Sequence, residues 1–532
     1  MSPGADLAGA RASLDAASAV VDTAVTRLRE RGGPDADQTL AYDLAHAASA
    51  VATARAAIDY GSRGPTETHL ACAFVGLALS EVHARVGARV ADWGLGPDWF
   101  DPLREFTAAA TSPTFLGALA EQPGDRGLDE QFSLVASTFH RFAEQEVRPH
   151  AEHVHRTNGD IPDSIIEGLA SLGGFGLSVP DAYGGFATGD ESDYLAMVIA
   201  TEELTWGSLG IGGSLITRPE ILTRALVHGG TEEQKKHWLP ALASAEALAA
   251  VAVTEPDFGS DVAGITTSAT RVEGGWVING TKTWCTFAAR ATVLMLLART
   301  DPDRTRAHRG LSIFLVDKPV TDGHGFILRQ EDRATPGRLE GRPIDTIGYR
   351  GMHSYELSFA DWFVPDDALV GGEEGLGRGF YFQMAGFENG RIQTAARAIG
   401  VMQAAYEAAL EYARHRRVFG APIIDYELTR VKLGTMAATI QAARQFAYAV
   451  AREMGAGRGG LEASMAKAYV CRAAEWVTRE ALQIHGGMGY AEEFPVSRYY
   501  VDARVLSIFE GADETLCLKV IARRLVEGAT AP

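Results

Sequence analysis

Residues 270–280 read "TRVEGGWVING". Two strand-like runs flank Glu273-Gly274-Gly275, and Asn279-Gly280 is a tight-turn signal between alternating side chains. The period of two continues through "TVLMLLA" (292–298), "LSIFLVD" (311–317) and "SYELSFADWFV" (354–364), each bounded by turn formers. An antiparallel β domain is therefore expected over 250–370. Outward in both directions the period becomes helical. Residues 126–249 read as helices, with "TEEQKKHWL" (231–239) opening on a capping box in which Thr231 pairs with Gln234. After "GGEEGLGRG" (371–379) come long segments at 380–415, 427–455 and 461–484 with few breakers, the pattern of a bundle of antiparallel helices within 371–532.

The chain begins with helices as well. Apolar residues at Leu7, Ala10, Leu14, Ala17, Val21, Ala24 and Leu28 form a stripe, and Leu40, Leu44, Ala47, Val51, Ala54 and Ile58 form a second. A third helix follows from about Thr66. Residues 1–125 thus read as a helical extension ended by the linker "AEQPGDRG" (120–127). Helices, then strands, then helices place the chain in the α+β class.

The 532 residues carry a net charge of −19. That balance argues against a grip on nucleic acid or anionic membrane, which needs clustered Lys and Arg. No apolar run reaches membrane-spanning length, and the start lacks a basic and apolar leader pattern. The four cysteines (Cys72, Cys285, Cys471, Cys517) show no metal-site or disulfide spacing, so no metal and a cytoplasmic, reduced protein are expected. Neither a Rossmann nor a P-loop nucleotide site is expected.

Four stretches can carry chemistry. "VTEPDFGSDVAG" (253–264) offers small donors, Thr254 and Ser260, beside a glycine that allows close backbone approach. "NGTKTWCT" (279–286) places Trp284 and Thr286 at i and i+2, one face of a strand that can flank a planar ring. "RHRRVFG" (414–420) sets Arg416 at a helix end, where it answers the helix dipole or binds a phosphate. "QIHGGMGY" (483–490) ends a helix on two glycines; His485 has no partner at metal spacing and reads as a packing or capping residue. Taken singly, each is also an ordinary loop, core residue or cap.

Together, in order and with "DARVLSIFEGADE" (502–514) and "IARRL" (521–525), these stretches resemble the acyl-CoA dehydrogenase family over about residues 128–528. The resemblance implies an N-terminal helical domain, a middle β domain and a C-terminal four-helix bundle, preceded here by the extension. It implies FAD as cofactor and an acyl-CoA substrate, with electrons passed to an electron-transfer flavoprotein by a homodimer or homotetramer. By motif position, Thr254, Ser260, Trp284 and Thr286 correspond to flavin contacts. Arg416 and Phe419 correspond to residues reaching a partner subunit's FAD; Gln483, Gly486, Gly487 and Glu514 complete the cofactor set. Glu510 falls on the catalytic base, which removes a weakly acidic α-proton; Ile508 and Phe509 are expected to wall it with apolar surface and strengthen it. Its backbone N–H is implied in polarising the thioester carbonyl. The residue preceding Arg391, where some members carry the base, is Gly390. Arg391, Glu388, Ser260 and Gly511 are implied substrate contacts. Glu427 and Ala512 depart from the family's usual Gln and Thr.

The extension, "GYRGMHSYEL" (348–357) and "FENGRIQTAARAIGV" (387–401) are similar to a subgroup acting on a short, branched, dicarboxylic acyl-CoA. A buried substrate carboxylate needs a partner charge. Arg218 in "SLITRPEIL" (214–222) is the candidate anchor; it reads equally as a surface helix cation. An oxidase using oxygen, or a non-catalytic flavoprotein, are competing readings; the retained Glu510 argues against the last.

Overall fold

The structure, a computed structural model, describes residues 5–190, 192–321, 324–333 and 335–528, with every side chain among them except that of Glu388. The opening helices are α1 Leu7–Glu30, α2 Gln38–Gly61, α3 Pro65–Val86, α4 Asp101–Ala110 and α5 Pro113–Ala118. Then come α6 Glu130–Phe142, α7 Arg148–Thr157, α8 Asp163–Ser171, α9 Ser192–Gly207, α10 Thr217–Gly229 and α11 Glu232–Ala243. The strands are β1 Ala249–Ala252, β2 Ser268–Val272, β3 Gly275–Thr286, β4 Val293–Arg299, β5 Leu311–Asp317, β6 Phe326–Gln330, β7 Gly337–Ile344 and β8 Ser354–Pro365. Beyond them lie α12 Gly379–His415, a short hairpin (β9 Arg417–Val418, β10 Ala421–Pro422), α13 Glu427–Gly455, α14 Gly460–His485 and α15 Pro495–Arg504. The last helical run comprises α16 Asp513–Thr515, a π turn at Leu516–Ile521 and α17 Ala522–Glu527.

The chain divides into two compact units, one of residues 1–140 with 391–532, the other of residues 141–390. In the first, the apolar stripes of α1 and α2 are buried residue for residue, from Ala10 to Leu28 and from Leu40 to Ile58. The extension packs directly on the bundle: α2 lies against α13 and α14, and α5 against α13. Gly434 of α13 permits the last contact, since a Cβ there would fall 1.8 Å from the Leu116 carbonyl oxygen. Tyr60 of α2 donates to the Asp125 carbonyl at 2.6 Å, and the Gln441 amide of α13 meets the same hydroxyl at 2.8 Å. The segment read as a linker is thus clamped against the bundle.

In the second unit the sheet runs β1-β4-β2-β3-β8-β7-β6, with β5 on β4. It is mixed rather than wholly antiparallel, because β1 and β4 run parallel. β4 is buried along its whole length, so alternate side chains feed two cores: Leu294 and Leu296 join Trp276 and Phe314, while Met295 and Leu297 meet Leu222, Leu226 and Leu239 of the flanking helices. The capping box of α11 forms as expected, with Gln234 and Thr231 exchanging hydrogen bonds. Asn279-Gly280 is not a turn. The chain reverses at Glu273-Gly274, and β3 runs on through Asn279 to Thr286. Gly280 has φ 143° and marks a bulge against β8; a Cβ there would meet Thr267 Cα at 2.7 Å. Asn279 serves the bulge by accepting from the Asp361 backbone N–H at 2.9 Å.

Candidate active site

Each unit carries its own part of the expected site. In the sheet unit the organising feature is an ion pair. Lys282 of β3 is wholly buried, and its Nζ donates to Glu255 Oε1 and to the Val253 carbonyl, both at 2.9 Å. Glu255 also accepts from the backbone N–H groups of Thr266 at 2.7 Å and Thr267 at 2.8 Å. Burial by itself would raise the Glu255 carboxyl. The Lys282 charge and the amide donors outweigh it and hold the group down to about 2. Beside the pair, the Thr283 N–H donates to the Thr254 carbonyl at 2.8 Å, stitching the "TEP" loop to the strand.

That stitch sits in a second bulge of β3, between Lys282 and Cys285. Trp284 takes φ 59° there and stands 55% exposed. A bulky residue in that conformation is strained and is held by its surroundings. The pleat alternation breaks at Trp284, so the expectation that it shares a plain strand face with Thr286 is corrected. Thr286 is buried, its hydroxyl 3.0 Å from Ser354 Oγ. Ser260 is exposed in the loop beyond Thr254. Arg218, near the start of α10, is buried rather than a solvent-facing cation. Its charge reaches the Cys285 thiol: burial pushes that thiol up to about 12, with Lys282 and Arg218 opposing the shift.

In the helical unit, Glu510 sits half-buried on the turn between α15 and α16, with φ 55°, followed by Gly511 at φ 104°. The wall is not as expected: Phe509 is partly buried, with the Arg397 guanidinium 5.0 Å from its ring centre, but Ile508 is 54% exposed. Lys467 of α14 is buried, and its Nζ donates to the Gly511 carbonyl. Burial lowers the Lys467 ammonium, opposed by charges that include Asp513 and Glu510, while Arg391 pushes it lower still. Glu510, Gly511 and Arg391 are thus gathered around Lys467, and Arg391 donates to Ser464 Oγ at 3.1 Å. The side chain of Glu388, the other expected contact on α12, lies outside the described residues.

The remaining expected residues are presented at the surface. Phe419-Gly420 is the tip of the β9–β10 hairpin, with φ 49° and 89°, the two positive angles that a two-residue turn requires. Phe419 is 97% exposed on it, and Arg416 is exposed where α12 ends. Gly486 and Gly487 leave open space, with no atom within 4 Å of a Cβ built on either. Gln483 and Glu514 are exposed. His485 is a packing residue, its Nδ1 2.8 Å from the Ala481 carbonyl and its ring stacked on Tyr412 at 4.2 Å. Glu255, Lys282 and Lys467 were missed in the sequence. The one signal for Lys467 is its place on the buried stripe of α14, between Ser464 and Cys471.

A half-buried carboxylate on a strained turn of the helical unit and an exposed tryptophan at a bulge of the sheet unit are the parts expected of a flavin-dependent acyl-thioester oxidoreductase. The chain belongs to the acyl-CoA dehydrogenase family: residues 129–246, 250–362 and 377–526 match its N-terminal, middle and C-terminal domains. It is 46% identical over 406 residues to "(2S)-methylsuccinyl-CoA dehydrogenase" of Cereibacter sphaeroides, covering 76% of this chain and 71% of that one. Among solved structures it is similar to a glutaryl-coenzyme A dehydrogenase in complex with glutaryl-CoA (TM-score 0.68, 29% identity, 76% and 97% covered). It is also similar to a glutaryl-CoA dehydrogenase from Mycobacterium smegmatis in complex with FADH2 (TM-score 0.64, 25% identity, 76% and 97% covered). Members of the family bind FAD. The residues present suit that cofactor. Trp284 offers an exposed ring, Thr254, Ser260 and Gln483 offer neutral donors, and Gly486 and Gly487 leave backbone open to close approach.

Proposed function

We propose that the chain oxidises (2S)-methylsuccinyl-CoA to mesaconyl-CoA, with Glu510 as the base. Glu510 accepts the α-proton at its carboxylate; its backbone N–H and the Gly511 turn receive the thioester carbonyl, where charge builds as the proton leaves. Bound FAD supplies the acceptor for the β-hydride. Thr254, Ser260, Trp284, Thr286, Gln483, Gly486, Gly487 and Glu514 hold the cofactor, and Arg416 and Phe419 reach that of a second subunit. Arg391 holds the acyl-CoA beside the base. Electrons leave to an electron-transfer flavoprotein, and the chain acts as a homodimer or homotetramer.

The observation that carries the substrate assignment is the burial of Arg218 on α10. A substrate carboxylate taken out of water needs a partner charge, and the Arg218 guanidinium is the proposed anchor for the free carboxylate of methylsuccinyl-CoA. The similarity to a methylsuccinyl-CoA dehydrogenase supports the same reading. The test is dye reduction over both methylsuccinyl-CoA stereoisomers, butyryl-CoA, isobutyryl-CoA and glutaryl-CoA, with Glu510→Gln alongside. The expected result is preference for the 2S isomer, with Glu510→Gln folded and FAD-bound but unreduced by substrate. Preference for a neutral chain would overturn the substrate; normal reduction in Glu510→Gln would overturn the base. Oxygen consumption without the flavoprotein acceptor would reassign the electrons to oxygen.

A further inference from the structure

The Glu510 turn runs directly into α16, whose cap residue is Ala512 and whose first residue is Asp513. Alanine supplies no capping oxygen, an omission that leaves a helix start weakly fixed. The fixing comes from elsewhere. Asp513 Oδ2 accepts from the Tyr42 hydroxyl at 2.6 Å and lies 3.1 Å from His46 Nε2. Tyr42 and His46 stand one turn apart on α2, so they share a helix face, and their rings meet edge to face at 4.7 Å. Cys517, one turn beyond Asp513, places its Sγ 3.4 Å from the same imidazole nitrogen. His46, Asp513 and Cys517 are all buried. Burial holds the imidazole below its usual range, against the pull of Asp513, and the neutral ring meets the carboxylate as an Nε2–H hydrogen-bond donor. The Gly511 carbonyl is held by Lys467.

We propose that Tyr42 and His46 of the N-terminal extension are positioning residues for the base: by fixing Asp513 they fix the turn that carries Glu510. The inference rests on the reading of Glu510 as the base. A non-glycine residue with positive φ, as Glu510 is, persists only when its surroundings over-determine it. Asp513 is the flank on the C-terminal side, and its partners come from a segment that precedes the family match at residue 129. The extension thereby reaches the reaction through three residues of chain, without touching substrate.

Tyr42→Phe and His46→Gln keep the packing and remove the hydroxyl or the imidazole; the wild type, both variants and their double are compared as FAD-loaded protein. The substrate is whichever of methylsuccinyl-CoA, butyryl-CoA and glutaryl-CoA the wild type oxidises fastest. Stopped-flow flavin reduction should show a saturating rate about tenfold lower in the double variant, as expected for a small misplacement of a reacting group, with substrate affinity changed less than about twofold on the same argument. Amide hydrogen exchange should quicken across residues 507–517 and not in α13. In a Glu510→Asp background, where the carboxylate is already displaced, Tyr42→Phe should add little. An unchanged saturating rate in the double variant, with Glu510→Gln inactive, overturns the positioning role and leaves the base intact. An active Glu510→Gln overturns the base itself. Stoichiometric metal in the purified protein, lost in His46→Gln, would overturn the hydrogen-bonded arrangement, because His46, Asp513 and Cys517 offer ligand atoms within 4.8 Å of one another.

Discussion

Replacing Lys282 with methionine isolates the energy of the pair beneath the "TEP" loop. The side chains keep similar length and volume, so the change is one of charge. Glu255 would keep its bonds from the Thr266 and Thr267 amides but lose the only cation paired with it among the described residues, at a site where its side chain is 3% exposed. Breaking one partner out of a buried pair costs about 3–5 kcal/mol, because the other charge stays desolvated. For a unit of this size a kcal/mol moves the midpoint by about 2–4 °C, so Lys282→Met should melt roughly 10 °C lower. Glu255→Gln added to it should recover part of that loss. The pair also has a pH signature. A carboxyl held at about 2 in the folded chain, against an ordinary 4.5, contributes stability that is complete above pH 4.5. That contribution fades as pH falls toward 2, and Glu255→Gln should flatten the acid limb in that window. Because Thr254 and Thr283 are joined beside the pair, Lys282→Met should also purify with less FAD. Differential scanning calorimetry and the 450 nm to 280 nm absorbance ratio measure both effects. A midpoint within 2 °C of wild type, with full flavin content, would refute the reasoning.

Arg218→Ala should abolish discrimination between methylsuccinyl-CoA and a neutral branched acyl-CoA, raising KM for the former by about tenfold or more, the order of one lost ion pair; parallel steady-state assays on the two substrates read it. Gly434→Ala should destabilise the helical unit by about 1–3 kcal/mol, because the new methyl would lie 1.8 Å from a backbone oxygen of α5 that cannot turn away; urea unfolding followed by far-UV circular dichroism shows the shift. Phe419→Ala should leave the melting of isolated chains unchanged, since the ring is 97% exposed, while weakening assembly and FAD retention, which sedimentation velocity and flavin absorbance report.

The long helices were readable because burial of one stripe imposes a period over many turns, and α13 spans the residues that its pattern marked out. The middle strands were readable for the same reason. The misreading at Asn279-Gly280 shows where local rules stop. An Asn-Gly pair favours a turn, but Thr267 packs so closely that only glycine fits, and Asn279 uses its side chain to tie β8. The expected residues of the site were legible as ordered motifs, without the geometry that holds them. Glu255 and Lys282 are separated by 27 residues, and Tyr42 and Asp513 by 471. Nothing in the spacing of a lysine among strand residues says whether a carboxylate will meet it. That information lies in the pairing of distant segments.

The helical unit is assembled from the two ends of the chain, and this sets a timetable for its birth. Residues up to 140 leave the ribosome before the rest of the unit, and residues 141–390 must follow before the partner helices begin to emerge. At about 5–20 residues per second that interval is roughly 12–50 s, during which the faces of α2 and α5 that will meet α13 have nothing to cover them. A nascent chain in that state is a client for chaperones, and its yield should respond to their abundance more than its final stability suggests.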